Sequence, residues 1–165
     1  MRASLPLGRV LGIPIEVNIS WLFAFLLLTY LLAGYFDDTR LHWSLARRWG
    51  VAIITILLLF LSVLAHELSH SVMALCKGIR VRGITLFIFG GVSRLEQEPL
   101  RPLTEFVVAL VGPLISIVLA AMFAVAWYLL GRGDSPLEIV LLLLMWTNLS
   151  LGVFNLVPGY PLDGG

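Results

Sequence analysis

His66, Glu67 and His70 form a His-Glu-x-x-His pattern in which each residue type suits metal-assisted hydrolysis. On a helix, positions i and i+4 lie one turn apart on one face, so two imidazoles can converge on a single ion. Zinc suits such a donor pair. The glutamate between them is placed to take a proton from a water that the ion acidifies to a pKa near ~7. Two histidines and one water leave a catalytic zinc one protein ligand short. Asp163, in the segment YPLDGG, is the candidate: Pro158 and Pro161 prevent a straight helix, and Gly159, Gly164 and Gly165 let the chain turn back. The same aspartate also reads as an Asp-Gly turn at the water surface. Asn155 is equally open between a polar residue packing helices together and a group holding a substrate backbone or developing oxyanion.

The elements that must position these residues are set by an excess of apolar sequence. Of the 165 residues, 59% are hydrophobic and 13% charged, where a soluble domain has roughly 25% charged. The excess is concentrated in runs that predict four helices, over about 20–35, 49–76, 104–130 and 137–156, each close to the length that crosses ~30 Å of hydrocarbon. Stretches such as Ile53–Val63 and Ile139–Met145 lack the polar face a soluble bundle would require. The expected fold is an all-α, multi-pass membrane protein, with residues 1–165 forming one membrane-embedded core.

Two segments depart from helix. Ile13, Ile15 and Val17 alternate with Pro14, Glu16 and Asn18, predicting a strand over 10–19 that Pro14 confines to an edge or a strand start. Residues 79–96, rich in β-branched and aromatic types and broken at Gly90-Gly91, predict a hairpin. Open sheet edges do not face hydrocarbon, so this small β element must lie on protein, line a wet cavity or sit at the membrane interface. Gly112-Pro113 predicts a kink in the third helix.

The His-Glu-x-x-His cluster follows the apolar run Val51–Ala65 and precedes Ser71–Cys76. Ionisable residues at such depth cost ~2.5–3.5 kcal/mol each, which argues that they are used. His66 lies 17 residues past Trp49 and Asn155 lies 17 past Glu138, so both are expected ~25 Å from the same membrane surface. With four spans, the N-terminus and the hairpin share a side carrying seven Lys and Arg residues, against four on the other. That bias places the N-terminus in the cytoplasm. A net charge of +1 with no basic stripe excludes a nucleic-acid partner, and the lone Cys76 excludes an intrachain disulfide.

The His-Glu-x-x-His motif on a membrane helix, followed by FNLVPGYPLDGG, resembles the site-2 protease family of zinc intramembrane metalloproteases. GIPIEVNISW and the FGG of the hairpin resemble its prokaryotic members in particular. The resemblance implies His66, His70 and Asp163 as zinc ligands, Glu67 as general base, and Asn155 as support for the site. It also implies a membrane-protein substrate whose unwound helix adds as a strand near Phe87–Val92, and a place in a prokaryotic cell membrane. The family often carries asparagine four residues after the glycine of its Gly-Pro motif. Here that position is Ser116, which can still hydrogen-bond. Similar proteins continue past the LDGG motif into further helices, so a fragment or minimal core is expected. The competing readings are an inactive homologue or fragment, a proton or ion path through His66, Glu67 and His70, and a haem site, for which no paired histidine stands on another helix.

Overall fold

The computed structural model describes residues 4–38, 43–88, 90–96, 101–130 and 135–157. The elements in chain order are β1 (Ser4–Val10), β2 (Ile13–Asn18), α1 (Ile19–Asp38), α2 (Leu45–Cys76), β3 (Val81–Phe87), β4 (Gly90–Leu95), α3 (Pro102–Leu130) and α4 (Pro136–Asn155). All four helices are long and apolar enough to cross a membrane, and a small four-stranded sheet accompanies them.

Helix ends follow local chemistry more than the apolar runs do. α2 begins at Leu45, with the Ser44 hydroxyl accepting from the Arg47 amide at its N-cap. Arg47 and Arg48, expected in a loop, therefore lie in its first turn, and Arg48 pairs with Asp37 at the end of α1. Proline occupies the first position of both α3 and α4, where its missing N–H costs nothing. α3 runs as one helix through Pro113.

The expected strand over 10–19 is instead a hairpin, β1 and β2 joined through Leu11 and Gly12. Pro6 and Gly8 obscure β1 in the sequence. They flank its register shift, and Gly8 has a φ of +138° that favours glycine. The sheet order is β1-β2-β3-β4, antiparallel except where β2 runs parallel to β3. Pro14 accordingly stands near a strand start, and β2 lies inside the sheet. Ile13, Ile15, Val17, Ile84 and Leu86 form the apolar face, packed on Val63, Leu64, Leu68 and Val72 of α2 and on Trp21.

α2 is the hub, touching the other three helices and both β3 and β4. Its stripe Ser62, His66, His70 and Ala74 is buried, as are Val108, Gly112, Ser116 and Ala120 on α3 and Leu144, Asn148 and Gly152 on α4. These four-residue rows are the ridges along which helices pack. Small and polar residues face inward while Leu26, Leu61, Met122 and Trp146 face outward, the arrangement expected where lipid is the solvent.

Candidate metal centre

Each of the two histidines is held by α3 through its Nδ1. His70 Nδ1 lies 2.7 Å from the Val108 carbonyl oxygen. A carbonyl only accepts, so this nitrogen carries the hydrogen and donates, leaving a lone pair on Nε2 of the neutral ring. His66 Nδ1 lies 2.9 Å from the Ser116 hydroxyl, which can accept in the same way. Pro113 provides no amide for the Ala109 carbonyl, one residue along α3 from the carbonyl that holds His70.

With their outer nitrogens anchored, the rings turn Nε2 toward Nε2 at 3.2 Å. Zinc–nitrogen bonds of 2.0–2.1 Å at a tetrahedral angle separate two donors by about 3.3 Å. The pair therefore fits one zinc in the tautomers that leave a lone pair on each Nε2. His66 is 2% exposed and His70 7%. Gly112 makes room for both: a Cβ there would overlap His70 Nε2 and come within 2.8 Å of His66 Nε2.

Glu67, one residue on from His66, is turned about 100° around the helix, toward β4. The Ser93 hydroxyl lies 3.0 Å from its Oε2 and 3.1 Å from its backbone carbonyl. Ser71 donates to Ser93 from 3.1 Å, completing a short hydroxyl relay. The β4 backbone abuts the glutamate, because a Cβ on Gly91 would overlap Glu67 Cγ and lie 3.0 Å from Cδ.

Among the described residues no group of three or more His, Cys, Asp or Glu side chains comes together. Asp163 lies outside the described residues. Asn155 is the half-buried last residue of α4, without a side-chain hydrogen bond to another described residue. The polar contact between α2 and α4 is made instead by Asn148, whose Nδ2 donates to Ser62 Oγ (3.2 Å) and the Leu144 carbonyl (2.8 Å). Ser62 stands one turn before His66 and Asn155 two turns after Asn148. Asn155 therefore sits about 4–5 Å further along than His66 instead of level with it.

The sequence around this centre has clear relatives. Residues 54–133 match peptidase family M50. Over the whole length the chain is 42% identical to sll0528 of Synechocystis sp., named as a zinc metalloprotease, and 31% identical to zinc metalloprotease MJ0392 of Methanocaldococcus jannaschii. The solved site-2 protease from Methanocaldococcus jannaschii superimposes with a TM-score of 0.68 at 31% identity, covering 98% of this chain and 68% of that one. The chain belongs to the site-2 protease family. It spans 43% of the length of sll0528 and 44% of MJ0392. As a site-2 protease family member it is a multi-pass membrane protein of a metalloprotease family.

The residues that sequence reasoning left without a role, or in doubt, surround the motif. Ser116, the family position occupied here by serine, holds His66 and is fully buried. Ser93 and Gly91 contact Glu67, and only the Gly-Gly pair signalled that a backbone passes close by. The Val108 carbonyl has no signature in sequence beyond the nearby Gly-Pro.

Proposed function

We propose that this chain is the membrane-embedded catalytic core of a zinc-dependent endopeptidase that cleaves membrane-spanning segments of other proteins in a prokaryotic cell membrane. The observation that carries the reading is the imidazole pair, its outer nitrogens tied to α3 and its inner nitrogens 3.2 Å apart, with a carboxylate on the adjoining residue. His66 and His70 would hold zinc, and Asp163 would be the third ligand. When bound, zinc polarises a peptide carbonyl and makes water acidic enough to give up its proton near neutral pH. Glu67 takes that proton as general base and returns it to the departing amine as the C–N bond breaks. Ser93 holds the carboxylate in place. A substrate helix unwound near the site adds as an extended strand beside Phe87–Val92, where Asn155 steadies its backbone or the developing oxyanion.

Full-length protein reconstituted in liposomes tests this. Glu67→Gln should keep its zinc and lose cleavage of a membrane substrate, since the amide fills the same space but cannot take a proton. Asp163→Asn should lose both, while the exposed control Asp38→Asn should lose neither. Substantial cleavage by Glu67→Gln would remove Glu67 from the base role. Full zinc occupancy in Asp163→Asn would remove Asp163 from the ligand set.

A further inference from the structure

α2 carries four hydroxyl side chains, and three of them make the local bond usual for such residues in a helix. Thr55, Ser62 and Ser69 turn back on the Val51, Leu58 and His66 carbonyls at 2.8, 3.0 and 2.6 Å. Ser71 does otherwise. The carbonyl one turn before it belongs to Glu67, yet its hydroxyl reaches across to Ser93 of β4 at 3.1 Å. Ser71 is fully buried, so this departure is not a response to water.

The direction of the contact follows from its hydrogens. Ser93 Oγ lies 3.0 Å from Glu67 Oε2 and 3.1 Å from the Glu67 carbonyl oxygen, and an ionised carboxylate and a carbonyl only accept. Ser93 therefore directs its one hydrogen to Glu67, and Ser71 must be the donor between the two hydroxyls. Of the two acceptors on Glu67, the carbonyl already receives the Ser71 amide within α2. The carboxylate is charged and makes the stronger bond. A hydrogen bond received by Ser93 polarises its own O–H and strengthens the bond it gives. It also fixes Ser93 Oγ against α2. The strand that carries Ser93 begins at Gly90-Gly91, which has no side chains to lock it in place.

We infer that Ser71 is a positioning residue for Glu67, acting through Ser93 to hold the carboxylate against β4. The inference rests on Glu67 as the general base proposed above. A role in helix stability alone would be met by the local bond that Thr55, Ser62 and Ser69 make. The outward turn of Ser71 instead ties α2 to the strand beside its own base.

Full-length, zinc-loaded protein in liposomes tests this with Ser71→Ala, Ser93→Ala and the double variant, assayed on a membrane substrate. Ser71→Ala should lower kcat about 5- to 10-fold, the effect of weakening one hydrogen bond, with KM and zinc content within about twofold of the parent. Ser93→Ala should lower kcat on the order of 10- to 100-fold, because it removes the bond to a charged group. The double variant should be no slower than Ser93→Ala, since Ser71 then has nothing to act through. Parental kcat in Ser71→Ala would overturn the inference. Losses that multiply in the double variant, or zinc loss that matches the fall in kcat, would overturn it too. A crystal structure of zinc-loaded Ser71→Ala gives a readout independent of cleavage: the contact from Ser93 to Glu67 Oε2 should open beyond hydrogen-bond distance. Retention of that contact at its parental length would sink the relay. Parental cleavage by Glu67→Gln would instead remove the base reading, and the crystallographic distance would still decide whether Ser71 acts on Glu67.

Discussion

Two imidazoles occupy the space into which a side chain at position 112 would project, and this makes glycine there a structural requirement of the site. Gly112→Ala would push both Nε2 atoms from their present separation. Zinc retention should fall along with activity, as metal analysis of purified protein would show. Gly91→Ala is the complementary case, because it displaces Glu67 and leaves the histidines in place. Zinc should stay near parental levels while kcat falls about 10²-fold or more, the scale of a misplaced general base. Equal zinc loss in both variants would contradict this division of labour. The motif itself was legible because helical periodicity alone brings its members together. Ser116, Gly91 and the Val108 carbonyl were not, since their roles arise where α2 meets α3 and β4. A backbone carbonyl, moreover, is present at every residue and distinguishes none.

Helix packing supplies the next level of control. Asn148 is fully buried, and the Leu144 carbonyl fixes its amide orientation because that oxygen requires a donor. Its remaining hydrogen bond to Ser62 ties α4 to α2 one turn from His66. Asn148→Ala should lower stability by about 1 kcal/mol, the usual worth of such a bond in a membrane bundle. Reversible unfolding in mixed detergent micelles would measure it, and Ser62→Ala in the same background should add almost nothing further. At this scale the sequence was readable where one period dominates. The apolar runs located four helices and the alternation at Ile13, Ile15 and Val17 located β2. The helix starts at Leu45, Pro102 and Pro136 depended on capping chemistry, which apolar content does not report. β1 was hidden because Pro6 and Gly8, residue types that interrupt regular strands, sit at an edge strand's register shift.

Across the whole molecule, four helices return the chain to its starting side, and the excess of Lys and Arg on that side predicts that it is cytoplasmic. Cysteine labelling in intact cells, after replacement of Cys76, should modify position 45 from outside and leave position 82 untouched. Labelling of position 82 by an impermeant reagent would reverse the assignment. The hydrogen bonds that anchor the two histidines also have a consequence for biosynthesis. Their partners lie 50 and 38 residues downstream, at Ser116 and Val108. A ribosome therefore delivers the His-Glu-x-x-His segment of α2 well before the helix that anchors its histidines has been made. α2 must either wait beside the insertion machinery until α3 emerges or enter lipid with its histidines unanchored. Insertion and folding of this helix are consequently coupled in time, and translation speed between the hairpin and α3 becomes a variable in how much protein matures.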